Sequence, residues 1–255
     1  MEKTIKPFKD HFSTQAEVYR QSRPTYPDAL FQFLAKESPD ATLAWDCATG
    51  NGQAAISLTP HFDHILATDA SAQQIANGIP HPKIEYRIAP AEDSGIPANT
   101  VSLLTAATAA HWFDHTRFHA EAERVLKPGG LLAVWTYYFA RISPAVDSVL
   151  DHFSEVLLKD YWPPERKYID LKYSTLPFPF TEITTPQFKA LAYWDCRQLM
   201  AYLSSWSSTQ AYIKKHGRDP LSLIKYDLAT AWGETPDIRE VAWDIHLKAG
   251  KKPTS

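Results

Sequence analysis

Apolar residues recur with helical spacing from His11 to Ser22. A second helix is expected to open at Pro27-Asp28, where proline suits the first turn and a carboxylate suits the positive helix end. Arg23-Pro24-Thr25-Tyr26-Pro27 joins the two as a stiff elbow. From Thr42 the rhythm changes. Short apolar runs at Thr42–Cys47, His64–Thr68, Ile84–Ile88, Val101–Thr105 and Leu131–Thr136 alternate with helical segments from about Gln53, from Ser71, and from His115 to Leu126. This alternation predicts an α/β fold on a mostly parallel sheet covered on both faces.

After Tyr137 the pattern breaks into an aromatic, proline-bearing stretch, with a helix near Ala145–Leu158 and the loop Trp162-Pro163-Pro164-Glu165. It reads as a helical cap inserted before the last strands. Helices are expected again over Asp195–Ser205 and Pro220–Trp232, each opened by an acidic residue. Strands are expected at Phe188–Tyr193 and Ile238–His246, the second alternating in a way that suits an antiparallel edge. The tail from Lys248 to Ser255 is expected to fray. The predicted organisation is one domain: a helical N-terminal latch over 1–40, a ligand-binding core over 41–136, a substrate cap region over 137–215, and a C-terminal helix and edge strand over 216–255.

The 255 residues suffice for such a domain with a core that needs no disulfide or metal. A net charge of −3, with no cationic run longer than Lys214-Lys215 or Lys251-Lys252, offers no field to gather phosphates and argues against nucleic acid as a partner. Cys47 and Cys196 lie far apart in sequence and are expected as free thiols in a reducing compartment. Residues 1–10 mix charges of both signs, and no apolar run is long enough to cross a bilayer. A cytoplasmic protein with no membrane partner is expected. The aromatic residues are densest from Trp135 to Trp206, where rings fill a core or line a pocket.

Candidate chemistry begins at Trp45-Asp46-Cys47-Ala48-Thr49-Gly50-Asn51-Gly52-Gln53, an apolar strand entering a glycine turn and then a helix. In open α/β sheets ligands sit beyond the carboxyl ends of such strands, where small residues let them approach the backbone. Asp69 closes the next predicted strand, where a carboxylate is placed to accept from a ribose diol. No zinc spacing accompanies His61 and His64, no Gly-x-Ser-x-Gly elbow surrounds Ser204-Ser205, and no Walker lysine follows the glycine turn. No metal is expected.

On these residues the sequence resembles the class I S-adenosylmethionine (SAM)-dependent methyltransferases, in particular the small-molecule branch that includes trans-aconitate methyltransferases. Pro90-Ala91-Glu92-Asp93, Leu103 through Asp114, and Arg124-Val125-Leu126-Lys127-Pro128-Gly129-Gly130 match further family segments, and the similarity runs over roughly residues 8 to 136. Ala48 stands where glycine is usual. The resemblance implies a Rossmann-like, doubly wound sheet and SAM as methyl donor, with S-adenosylhomocysteine as product. It assigns Asp46 to the methionyl amino group, Ala48, Gly50, Asn51 and Gly52 to the loop that makes room for the methionyl moiety, Asp69 with Ala70 to the ribose, and Ala91 with Glu92 to the adenine edge. Thr105 and Ala106 then lie beside the cofactor on the fourth strand, while Tyr19 and Arg23 belong to a leading segment that closes over it.

For the acceptor, the same reading offers His111 as general base or cofactor contact, and Tyr26, Trp112 and Arg141 as substrate contacts. Arg166 joins Arg141 as a cap arginine able to clamp an acid, with a solvent-exposed role weighed against that for both. The expected function is in-line methyl transfer to a small molecule, with a carboxylate as one acceptor class. Two alternatives stay open: a SAM-binding protein without turnover, and a nicotinamide-dependent oxidoreductase, whose Gly-x-Gly-x-x-Gly pattern meets Ala55 at its last position.

Overall fold

The computed structural model describes residues 24–234 and 238–254. Over the first half, strand and helix alternate as the apolar pattern predicts: α1 (Asp28–Glu37), β1 (Leu43–Cys47), α2 (Gln53–Leu58), β2 (His64–Asp69), α3 (Ala72–Ala76), β3 (Ile84–Ile88), β4 (Val101–Ala107), α4 (His115–Val125) and β5 (Leu126–Tyr137). Side-chain caps set two of the starts. Ser71 accepts from the Gln74 N–H ahead of α3, and Asp114 from the Arg117 N–H ahead of α4.

With β6 (Phe188–Trp194) and β7 (Arg239–Lys251), the sheet among the described residues has seven strands in the order β3-β2-β1-β4-β5-β7-β6. Strands β1 to β5 pair in parallel, and β7 runs antiparallel to both its neighbours. The chain works outward from β1 to β3 and then returns to β4 on the other side of β1. That reversal opens a crevice at the carboxyl ends of β1 and β4. Alternate side chains feed two apolar layers: Ala44, Leu103, Leu131 and Ala133 pack with α1 and α2, while Trp45, Leu104, Leu132 and Val134 pack with Phe118, Ala122 and Val125 of α4. The sheet is therefore doubly wound, as expected.

Beyond β5 come α5 (Pro144–His152), which continues as a wider π turn over Phe153–Leu157, then α6 (Arg166–Asp170), α7 (Cys196–Ser204), α8 (Ser207–His216) and α9 (Lys225–Trp232). The acidic residue expected to open the helix near Asp195 does so through a capping box, with reciprocal bonds to Gln198. Both cysteines are free and buried.

Several expectations need correction. The antiparallel strand expected at the sheet edge is β7, but it lies inside the sheet, covered by β6. Its alternation of burial reflects half-covered faces and not an open edge. The tail does not fray through Lys251: β7 reaches that residue, and the Lys252 ammonium donates to the carbonyls of Glu123 and Leu126 at the end of α4. Helix α8 is additional. The helix expected from Pro220 divides into a short 3-10 turn (Pro220–Leu223) and α9. The predicted latch over 1–40 is described only from Pro24; the expected helix over His11–Ser22, with Tyr19 and Arg23, lies outside the described residues. Among the described residues no helix is long and apolar enough to cross a membrane.

Candidate active site

Both central strands leave the sheet through left-handed turns at residues with a side chain, Ala48 (φ 53°) after β1 and Thr108 (φ 53°) after β4. Such backbone is costly for non-glycine residues and gathers where the surrounding structure has a use for it. Within the crevice Asp46 and Thr105 are register partners on β1 and β4. The Thr105 hydroxyl donates to Asp46 Oδ1 at 2.7 Å and the Thr49 hydroxyl donates to Oδ2. Burial pushes the Asp46 carboxyl up to about 6 against those hydrogen bonds, with the nearby Asp69 adding to the rise.

Asp69 ends β2 and folds back onto the loop. The Gly50 N–H donates to its Oδ2 at 2.9 Å and the Ser71 N–H to its Oδ1 at 2.8 Å. The two expected carboxylates thus border one loop. Between them Asn51 is buried, and its Nδ2 has no hydrogen-bond acceptor among the described residues. A buried donor without an acceptor is costly, and it suits a ligand that supplies one.

Next to this loop, at the carboxyl ends of β4 and β5, lies an aromatic cleft of about 660 Å³ counted out to its open mouth. Thr108, His111 and Trp112 form one wall, Tyr137–Phe139 the floor, and Trp162, Arg166, Tyr202 and Trp206 the cap side. Trp162 is aimed by its indole N–H, which donates to the Ser154 carbonyl at 3.0 Å. His111 is 4% exposed, and its Nδ1 lies 2.8 Å from the Tyr173 hydroxyl. Burial, then the positive Arg166 and neighbouring His115, holds the imidazole down at about 3, so it is neutral at physiological pH.

The family profile described as "Methyltransferase domain" matches residues 45–134. A methyltransferase-family protein of Dictyostelium discoideum is 33% identical over 252 residues, covering 96% of each chain. A solved structure from Anaeromyxobacter dehalogenans, assigned to the type II methyltransferases, is 40% identical and superposes with a TM-score of 0.86, covering 91% of this chain and 99% of its own. The chain belongs to the SAM-dependent methyltransferases. A more distant fold relative, a phosphoethanolamine N-methyltransferase of Haemonchus contortus solved with phosphomonomethylethanolamine and S-adenosylhomocysteine, is 14% identical with a TM-score of 0.50, covering 98% of this chain and 61% of its own.

Set against this methyltransferase, the residue expectations divide. Asp46, Ala48, Gly50, Asn51, Asp69, Ala70, Thr105 and Ala106 all lie along the ends of β1, β2 and β4. Gly52 does so too, but its neighbour differs from expectation: a Cβ there would fall 2.0 Å from the Tyr86 hydroxyl, so its missing side chain accommodates Tyr86 of β3. Ala91 is buried, while Glu92 Oε1 accepts the Asp114 N–H at 2.9 Å and so ties the loop after β3 to the start of α4.

Of the acceptor candidates, His111 and Trp112 line the cleft. Tyr26 sits edge-on to Trp135 with its hydroxyl 3.4 Å from Thr108 Oγ1. Arg141 does not line the cleft; its guanidinium pairs with Asp151 at 2.8 Å on an exposed face. Arg166 is the cap arginine that does. Sequence reasoning passed over Tyr173, which follows no motif, although the aromatic density from Trp135 to Trp206 pointed to the cleft as a whole.

Proposed function

We propose that this methyltransferase transfers a methyl group from SAM to a small molecule bound in the aromatic cleft. The observation that carries the reading is convergence: two buried carboxylates and the unsatisfied Asn51 amide border the β1–β4 crevice, and the cleft opens at the same end of the sheet. The donor set fits a ligand with a cationic amino group at one end and a diol at the other. Asp46 would meet the methionyl ammonium, Asn51 would donate to the carboxylate beside it, Asp69 would accept from the ribose, and Ala91 and Glu92 would border the adenine.

When bound, SAM supplies a sulfonium-activated methyl group. The protein's part is to position the acceptor in line with that group and exclude water. A ring-lined cleft of this size suits a small acceptor better than a polymer. The test is calorimetric titration with SAM, S-adenosylhomocysteine and NADH, followed by transfer of labelled methyl to a panel of small acceptors. Micromolar binding of the two adenosyl ligands alone is expected, weakened by Asp69→Ala. Binding of NADH alone, or unchanged affinity in Asp69→Ala, would refute the assignment; tight binding without transfer to any acceptor would mark a protein that holds the donor without turning it over.

A further inference from the structure

The turn that carries Asn51 has little stiffness of its own. Gly50 and Gly52 flank the asparagine with φ 58° and 90°, and glycine is the residue least bound to one backbone conformation. What fixes the Asn51–Gly52 peptide therefore has to come from outside the turn. The Asn51 carbonyl accepts the Ile79 N–H at 3.0 Å, and the Ile79 carbonyl in turn accepts the Tyr86 hydroxyl at 2.9 Å. Tyr86 belongs to β3, separated from β1 by β2.

The same phenol acts as a wedge. A Cβ on Gly52 would fall 2.0 Å from its oxygen, and one on Gly78 would fall 2.8 Å from its Cζ. Tyr86 thus stands between the turn and the segment ahead of β3, with a glycine on each side giving way to it. Burial, with the charge of Asp46 adding to it, pushes the phenol up to about 12, so the hydroxyl keeps its hydrogen and remains a donor. At the far end of this chain of contacts is the buried Asn51 amide, whose Nδ2 has no acceptor among the described residues. Such a donor contributes most to affinity when its direction is fixed before the ligand arrives.

Resting on the reading that Asn51 donates to the carboxylate of the cofactor's methionyl moiety, we infer that Tyr86 is a positioning residue for that contact, acting through Ile79 on the Asn51 backbone. Tyr86 itself needs no contact with the ligand. Asp69 is held separately, by the Gly50 and Ser71 N–H groups, so the effect belongs to the carboxylate end of the cofactor and not to the ribose.

The experiment is calorimetric titration of the full chain with S-adenosylhomocysteine and with its decarboxylated analogue, which keeps the adenosine, sulfur and amine but has hydrogen in place of the carboxylate. Tyr86→Phe keeps the ring in its notch and removes only the hydroxyl. It is expected to weaken S-adenosylhomocysteine by about three- to tenfold, the range of one hydrogen bond, and to leave the analogue within about twofold. Asn51→Ala should show the same selectivity, and the double variant should bind S-adenosylhomocysteine no more weakly than Asn51→Ala alone. Equal loss for both ligands in Tyr86→Phe would reduce the tyrosine to general support and overturn the inference. So would unchanged affinity in Tyr86→Phe, or losses that add in the double variant. Asn51→Ala without effect on S-adenosylhomocysteine strikes instead at the cofactor reading of Asn51, and the inference falls with it.

Discussion

Asp46, which we propose binds the cofactor, works against the stability of its own fold. Its carboxyl is fully buried beside two hydroxyls, and burial raises it from the ordinary 3.8 to about 6. The folded state holds this proton more tightly than the unfolded chain does. The corresponding stability is complete below about pH 3.8 and is lost as pH rises through about 6; the difference between the two values corresponds to about 3 kcal/mol. Asp46→Asn is therefore expected to be more stable than the parent by about 1–3 kcal/mol at about pH 8, with the gain vanishing near pH 4. Urea titrations across that range measure it. The same substitution should weaken S-adenosylhomocysteine by about tenfold or more, because a charge-assisted hydrogen bond is lost. A variant that gains stability and keeps its affinity would remove Asp46 from the cofactor site. This residue was legible in sequence because a lone acid ending an apolar strand has few structural uses. Gly52 was half-legible: the need for a glycine was plain, but Tyr86, the reason for it, lies on another strand.

Elements, too, differ in how plainly the sequence states them. Strands β1, β2, β4 and β5 stand out because burial on both faces demands apolar runs, and caps at Ser71, Asp114 and Asp195 mark where helices begin. Helix α8 was missed because Ser207-Ser208-Thr209 looks like a loop, yet Ser208 and Thr209 are buried, and the Thr209 hydroxyl donates to the Leu203 carbonyl at 2.8 Å. The turn after α6 carried still less signal. Lys172 and Tyr173 both adopt left-handed backbone, φ 54° and 59°, without a glycine between them. What holds the turn is distant: Tyr173 is fully buried against His111. Strain of this kind costs roughly 1–2 kcal/mol per residue. Lys172 is exposed, so Lys172→Gly relieves it without disturbing a contact in the core. We expect a net stabilisation of roughly 0.5–1 kcal/mol after the extra freedom of the unfolded glycine is counted, read from the urea midpoint at unchanged slope. A loss of stability would mean that the lysine side chain itself holds the turn.

At the scale of the whole molecule, the cap belongs to the same packed body as the sheet. Phe139, Leu150, Phe153, Trp206 and Trp243 share one apolar cluster with α1, α2 and the central strands. Trp243 of β7 is fully buried and meets Trp194, Tyr202 and Tyr137 edge to face, with centroids 5.0, 5.6 and 6.4 Å away. Trp243→Ala is expected to cost about 3–5 kcal/mol and to loosen cap and sheet in a single transition, followed by near-UV circular dichroism and tryptophan fluorescence together. Two separated transitions would show that the cap folds by itself. The predicted division at residue 137 followed a real change of rhythm in the chain, but rhythm along the chain does not reveal which segments share a core. The position of β7 between β5 and β6 also dictates an order of events during synthesis. Strand β6 leaves the ribosome earlier and has no strand to pair with, and the flank of β5 stays open, until the residues of β7 have been made. The nascent chain therefore passes through a stage with two unpaired strand flanks on display, when it is most open to mispairing and to chaperone capture.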